Sequence, residues 1–153
     1  MLTTLLVAHG LIAVALLGAV THQVSALFVR GRIADGRFLG RYAGVRQERF
    51  TWAIVVLYGL VVGIGATLYP SYRVDVRIPF EEMQLGWAIG LFEIKEHAGA
   101  IGLGLLPLYA HLWRPQFDAT HTRDRRMMSA LLAAIVWFNF VTGHVLNNIR
   151  GLA

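Results

Sequence analysis

Cysteine is absent from the 153-residue chain, which excludes an internal disulfide, a thiolate metal site and a cysteine-ligated iron–sulfur cluster. Charge is also scarce, because 15% of the residues are Asp, Glu, Lys or Arg, against roughly 25% in an ordinary soluble domain. Hydrophobic residues make up 56% of the chain. The sequence therefore predicts an integral membrane protein, and its length suits a single bundle of four spans without a second domain.

Four long apolar runs predict an all-α bundle of four transmembrane helices. The predicted spans cover about residues 2–28, 50–69, 85–113 and 127–149. Pro70 is expected to end the second span, and Pro107 to bend the third. The whole chain, residues 1–153, is interpreted as one domain in a lipid bilayer.

Positive charge is concentrated in two short segments between these runs. Ten of the fourteen Lys and Arg residues lie there: Arg30, Arg32, Arg37, Arg41, Arg46, Arg49, Arg114, Arg123, Arg125 and Arg126. The positive-inside rule places both segments in the cytoplasm, so both termini are predicted outside, in the inner (plasma) membrane of a cell. The nearly balanced segment from Pro70 to Glu82 is expected to be an outer loop. Because the net charge of +5 is not spread along one soluble face, it does not predict a nucleic-acid partner.

Histidines are the most informative polar residues of the apolar runs. Five of the six lie inside predicted spans: His9, His22, His97, His111 and His144. An ionisable group at membrane depth costs several kcal/mol unless it is paired or used, so each is a candidate functional residue. The simpler interpretation is that each one only bonds a neighbouring helix.

The spacing of the histidines indicates two levels in the membrane. His97 and His111 are fourteen residues apart, which returns a helix to nearly the same face after a rise of about 21 Å. The small residues Ala100 and Gly104 lie on nearly the same stripe between them and leave room for a flat group. His9 and His22 are separated by about 20 Å on the first span.

Two levels at this separation fit two haem groups, each held by imidazoles from two helices. The predicted inner ligands are His22 and His111, and the predicted outer ligands are His97 with either His9 or His144. Imidazole also binds copper and zinc, so the histidines alone do not distinguish haem iron from these two metals. The absence of a methionine-rich or cysteine-containing run favours haem.

Glu93 and Glu96 share the helix face of His97 and are candidates for a proton relay, for hard-metal ligands or for partners of a haem propionate. For Glu93 and Lys95 the simpler role is favoured: both side chains are expected to lie at the headgroup level and to be solvated. A ferritin-type di-iron site is disfavoured, because its Glu-x-x-His spacing is not found here.

The segment AHGLIAVALLGAVTH in the first span resembles small four-helix, histidine-bearing membrane proteins, as does LPLYAH at the end of the third. An arginine-rich loop followed by a glycine-containing second span strengthens this resemblance. These proteins include dihaem b-type cytochromes of the b561 kind, and the group of copper-resistance-D-type proteins and haem-binding protoporphyrinogen oxidases. The resemblance implies haem b held by transmembrane histidines.

The predicted function is that of a cytochrome-like subunit which carries electrons within or across the membrane by one or two haem b groups. It would need a redox partner subunit or quinone, and it could act in a larger membrane complex or as a homo-oligomer. One alternative is a haem-dependent membrane enzyme that oxidises porphyrinogen. The other is a subunit that handles copper or zinc, or that has only a structural role.

Overall fold

The computed structural model describes residues 2–29, 48–114 and 121–151. The predictions for the arginines of segment 30–47 lie outside the described residues. Five α-helices are present in the described ranges: α1 (Leu2–Val29), α2 (Glu48–Tyr72), α3 (Ile78–Glu82), α4 (Gly86–Leu112) and α5 (Thr122–Gly151). A π-helix, Arg73–Arg77, joins α2 to α3. The prediction of an all-α protein is confirmed for this part of the chain.

Three helical segments are long and apolar enough to cross a membrane: Leu2–Phe28, Arg49–Glu82 and Thr122–Ile149. The chain is therefore a membrane protein. Helix α4 is not among the three, although it is 27 residues long. Its charged residues Glu93, Lys95 and Glu96 interrupt the apolar sequence and lower its mean hydropathy.

Each long helix packs against two others. Helix α1 contacts α2 and α5, and α4 contacts α5 and α2. Apolar side chains fill the space between them: Leu16, Val20, Ile54, Leu106, Leu132 and Val136. The outward faces are also apolar, since Leu11, Trp52 and Ile101 are each at least 60% exposed. A surface of this kind suits a lipid environment.

The expectation that Pro70 ends the second helix is wrong. Helix α2 continues through Pro70 to Tyr72, and the π-helix and α3 occupy the segment that was expected to be a loop. A proline in a helix removes one backbone hydrogen bond without necessarily ending the helix. Pro79 also has no amide hydrogen to donate to the carbonyl of Asp75, and the wider π-helical turn lies directly before it.

This end of the molecule is closed by its own small core. Val76, Phe80, Ala88 and Leu146 are buried together, which fixes the π-helix and α3 against α4 and α5. At the other end an arginine side chain connects α5 to the end of α4. Arg125 lies in α5, which begins before the predicted Met127, and its Nε donates to the carbonyl of Leu112 at 2.6 Å.

Candidate functional site

Two sets of residues run along α4 with a spacing of seven, and they face opposite sides. Gly102 and Tyr109 are buried, and the side chain of Lys95 is only 19% exposed. The other set is exposed: His97, Gly104 and His111. Residues two positions apart differ by about 200° around a helix, so the two stripes lie on opposite faces. Helix α4 thus turns one stripe toward the other helices, the lysine stripe of Lys95, Gly102 and Tyr109. It turns the other stripe away from them, the histidine stripe of His97, Gly104 and His111.

Close contact between α2 and α4 accounts for this orientation. The hydroxyl of Tyr58 donates to the carbonyl of Gly99 at 3.0 Å. At Gly102 the same Tyr58 hydroxyl occupies the space that a Cβ atom would need. Glycines at both positions allow the two helix backbones to approach each other.

Lys95 is the only lysine in the chain, and it lies at the centre of a polar group that we name the Lys95 cluster: His9, Lys95 and Glu96. Its Nζ lies 2.7 Å from Oε1 of Glu96 and 4.7 Å from the centre of the Phe92 ring. Its Cε is 3.7 Å from a Cβ built on Gly143 of α5. The lysine side chain therefore lies near α5, while its partner Glu96 is 46% exposed, so solvation of Lys95 at the headgroup level stays a prediction.

His9 brings α1 into the cluster. Its ring lies against Gly65 of α2, with Cε1 at 3.4 Å from a Cβ built there. It interacts with the backbone of Val61 and lies within electrostatic range of Lys95 and Glu96. Its Nδ1 is buried and has no hydrogen-bond partner among the described residues. Such an atom lacks the hydrogen-bond partner that buried polar atoms in proteins usually have.

A chain of aromatic and charged side chains leads from the cluster to the surface. Phe92 stacks on Tyr72 with ring centroids 3.5 Å apart and planes within 9°. Arg77 lies in the π-helix that comes after Tyr72, and it forms ion pairs with Nε at 2.8 Å from Glu81 and Nη1 at 3.9 Å from Glu93. Glu93 is exposed, as expected from the sequence.

Toward the opposite end of the helices the buried polar residues are neutral. The hydroxyl of Tyr109 donates to Oε1 of Gln23 at 2.7 Å, and Nε2 of Gln23 lies 3.5 Å from the hydroxyl of Thr51. All three residues are buried. This network joins α1, α2 and α4 and satisfies polar groups that would otherwise be costly to bury.

The inner histidines face different directions. The Gln23–Tyr109 hydrogen bond fills the space between α1 and α4 at their level. His22 packs on Phe50 of α2, with ring centroids 4.6 Å apart. His111 is exposed and lies about 200° around α4 from Tyr109. The structure therefore places His22 against α2 and His111 on the outward face of α4, and a haem between them stays a prediction.

The outer histidines also face different directions. His97 is exposed, and its Nδ1 lies 2.7 Å from the carbonyl of Glu93. His144 is exposed on α5, whereas His9 is partly buried between α1 and α2. Ala100 and Gly104 lie on the outward face with His97. Among the residues that the structure describes, no three His, Asp or Glu side chains come together as a metal site.

Comparison of the chain with protein-family models, with curated proteins and with solved structures gives no match. The function is therefore inferred from the chain's own residues. The sequence does not mark Tyr58, Gln23 or Tyr109 as functional residues. For Tyr109 a signal is present, because Lys95, Gly102 and Tyr109 repeat every seventh residue like the histidine stripe. Tyr58 and Gln23 have no such signal.

Proposed function

We propose that the chain is a four-span membrane protein that holds a protonatable centre, the Lys95 cluster, inside the bilayer and supplies protons from it to electron-transfer chemistry. The observation that carries this proposal is the Lys95–Glu96 ion pair beside the buried Nδ1 of His9. Charged side chains at membrane depth are rare and mark proton relays or substrate pathways. Apolar residues of similar volume would serve a packing role at no greater free-energy cost.

The length and packing of α4 support the fourth span. Its 27 residues rise about 40 Å, which exceeds a hydrocarbon core of about 30 Å. It lies between α2 and α5, and its lysine is directed toward α5. Four spans place both termini on one side of the membrane, and the arginine distribution makes that side the outer one of an inner (plasma) membrane.

The residues of the cluster can exchange protons. The imidazole of His9 can bind or release a proton, and Lys95 and Glu96 provide one donor and one acceptor beside it. The reduction of a membrane quinone consumes protons as well as electrons. We therefore assign quinone as the electron acceptor or donor, with the electrons exchanged through a redox partner subunit.

A single isotope label tests this proposal. Lysine labelled with carbon-13 at Cε gives one side-chain signal, because Lys95 is the only lysine. In lipid nanodiscs Glu96→Gln should change the pH dependence of this signal, because it removes the carboxylate that lies 2.7 Å from Nζ. Glu82→Gln is the control, because that carboxylate is exposed on α3 and lies outside the cluster. A Lys95 curve that is the same in Glu96→Gln as in the unchanged protein would contradict the proposal.

We also propose a second function, in which haem b is bound between two copies of the chain. The favouring observation is that His97, Ala100, Gly104 and His111 are all exposed, and that a Cβ built on Gly104 meets no side chain within 4 Å. Imidazole is an accepted axial ligand, and haem would supply the one-electron couple when bound.

An absorption spectrum tests the second function. The purified protein should show b-type bands on reduction with dithionite. His97→Ala and His111→Ala should each weaken these bands, whereas His22→Ala should retain them because His22 lies between α1 and α2. A colourless, folded protein would rule out the haem proposal, and bound copper or zinc would instead favour a metal-handling role.

A further inference from the structure

We propose that the protein binds the headgroup of an anionic phospholipid where Arg123 and Arg126 of α5 lie beside Phe28 of α1. The inference goes beyond the proposed function, because this surface is at the opposite end of the helices from the Lys95 cluster. It is carried by two exposed arginines that form no ion pair with another described residue, and by the exposed apolar side chains next to them.

The surface lies at the level of the lipid headgroups. The candidate span Leu2–Phe28 ends there, and the candidate span Thr122–Ile149 begins there. The second of these has 28 residues, and it rises about 40 Å at 1.5 Å per residue. A bilayer is about 40–45 Å thick when its headgroup regions are included. The first residues of α5 therefore lie among the phosphate groups of one leaflet.

One of the three arginines at the start of α5 is used by the protein itself. Nε of Arg125 donates to the carbonyl of Leu112 at 2.6 Å, and Nη2 donates to the carbonyl of Arg114 at 3.3 Å. Its guanidinium also lies 5.6 Å from the centre of the Trp113 ring. Arg125 thus connects α5 to the end of α4, which is a structural role.

Arg123 and Arg126 have no such role among the described residues. They are three positions apart, so they lie on the same side of α5. The guanidinium carbon of Arg126 lies 6.0 Å from the centre of the Phe28 ring, which holds it beside the end of α1. Asp124 lies about 200° around the helix from Arg126 and does not pair with it. Two neighbouring guanidinium groups without a carboxylate suit a phosphate group, whose oxygens accept paired hydrogen bonds.

The apolar neighbours favour a phospholipid over a phosphate dissolved in water. Phe28 is 51% exposed, and Met127 is 60% exposed. About 16 Å further along α5, Nε1 of Trp137 donates to the hydroxyl of Thr21 at 3.0 Å. The same sides of α1 and α5 therefore stay together from the headgroup level toward the membrane centre. A lipid whose phosphate lies at Arg126 would place an acyl chain along this apolar face.

Charge at this end of the molecule favours an anionic lipid over a zwitterionic one. The described residues at the helix ends there include five arginines and two acidic residues: Arg49, Arg114, Arg123, Arg125, Arg126, Glu48 and Asp124. Each arginine near a membrane surface strengthens attraction to anionic lipids, and the cytoplasmic leaflet is the one that carries them. In the proposed topology this is the cytoplasmic end. The rule that places positive charge on this side does not require two arginines to lie together beside an exposed aromatic ring.

Native mass spectrometry of the purified full chain tests this inference. The protein in detergent is mixed with equal amounts of phosphatidylglycerol and phosphatidylcholine, and the bound lipids are counted. One phosphatidylglycerol should be retained in preference to phosphatidylcholine. Arg126→Gln should weaken its binding about fivefold, and the double change with Arg123→Gln should remove the preference. Arg126→Lys keeps the charge and should lose less than Arg126→Gln.

Two exposed arginines serve as controls. Arg114→Gln removes a guanidinium at the same end, and Arg73→Gln removes one at the other end of the molecule. Both variants should retain the preference for phosphatidylglycerol. Thermal unfolding gives a second readout, because a lipid that binds the folded state raises its Tm. Phosphatidylglycerol should raise the Tm of the unchanged protein more than that of Arg126→Gln, while both have the same Tm in phosphatidylcholine.

Three results would overturn the inference. Equal retention of the two lipids would show that the arginines do not select an anionic lipid and would leave an acidic partner subunit as their occupant. Equal weakening by Arg114→Gln and Arg126→Gln would show a diffuse basic surface without a defined site. Displacement of phosphatidylglycerol by millimolar inorganic phosphate would show a site for a small anion rather than for a lipid.

Discussion

At Gly102 the hydroxyl of Tyr58 takes the place of a side chain, and this contact brings α2 close to α4. Gly102→Ala would force the two helices apart or displace Tyr58. Overpacking of this kind costs typically about 1–3 kcal/mol, so the variant should have a lower Tm in detergent. The companion change Tyr58→Phe should recover part of the loss in the double variant.

Gly104→Ala is the control for this prediction, because a Cβ at Gly104 meets no side chain within 4 Å. Alanine is a better helix former than glycine by about 1 kcal/mol, so this variant should be as stable as the unchanged protein or more so. Equal losses of stability at Gly102 and Gly104 would contradict the orientation of α4.

At the same scale, the sequence identified polar residues but not the direction of their side chains. Lys95 is conspicuous as a charge in an apolar run, but its spacing does not show that the side chain lies near Gly143 of α5. A contact between residues so distant in the sequence cannot be predicted from local spacing.

At the scale of helices, composition and hydropathy predicted most boundaries. Helices α1 and α4 begin and end within a residue or two of the predicted spans. The side of α4 that faces inward could not be predicted, because both stripes have the same period. The tyrosine and glycine contacts select the lysine stripe, and these are tertiary interactions.

The segment after Pro70 gives a test at the same scale. Because Arg73–Arg77 and Ile78–Glu82 are helical and Val76 and Phe80 are buried, their backbone amides should exchange slowly with deuterium. Hydrogen exchange measured by mass spectrometry on peptides covering 73–82 would check this. The reference is the first turn of α1, Leu2–Leu5, whose amides have no acceptor within the helix. Exchange as fast in 73–82 as in this turn would show that the segment is a loop.

At the scale of the whole molecule, the four long helices hold different polar groups at their two ends. The Lys95–Glu96 ion pair lies toward the Arg77 end. Toward the other end Gln23, Thr51 and Tyr109 are buried and uncharged, and Arg125 donates to the carbonyl of Leu112. This distribution depends on the inward orientation of the lysine stripe, which is the central claim.

Cysteine cross-linking tests that claim most directly, and the absence of native cysteine makes the result unambiguous. A Cβ at Gly99 lies 3.5 Å from Oδ1 of Asn139, so a short reagent with two thiol-reactive ends should join Gly99→Cys to Asn139→Cys within one chain in membranes. The control pair is Gly104→Cys with Ala133→Cys, and because Gly104 lies on the outward face, this pair should not be joined. Cross-linking of the Gly104 pair and none of the Gly99 pair would show that the histidine stripe faces the interior.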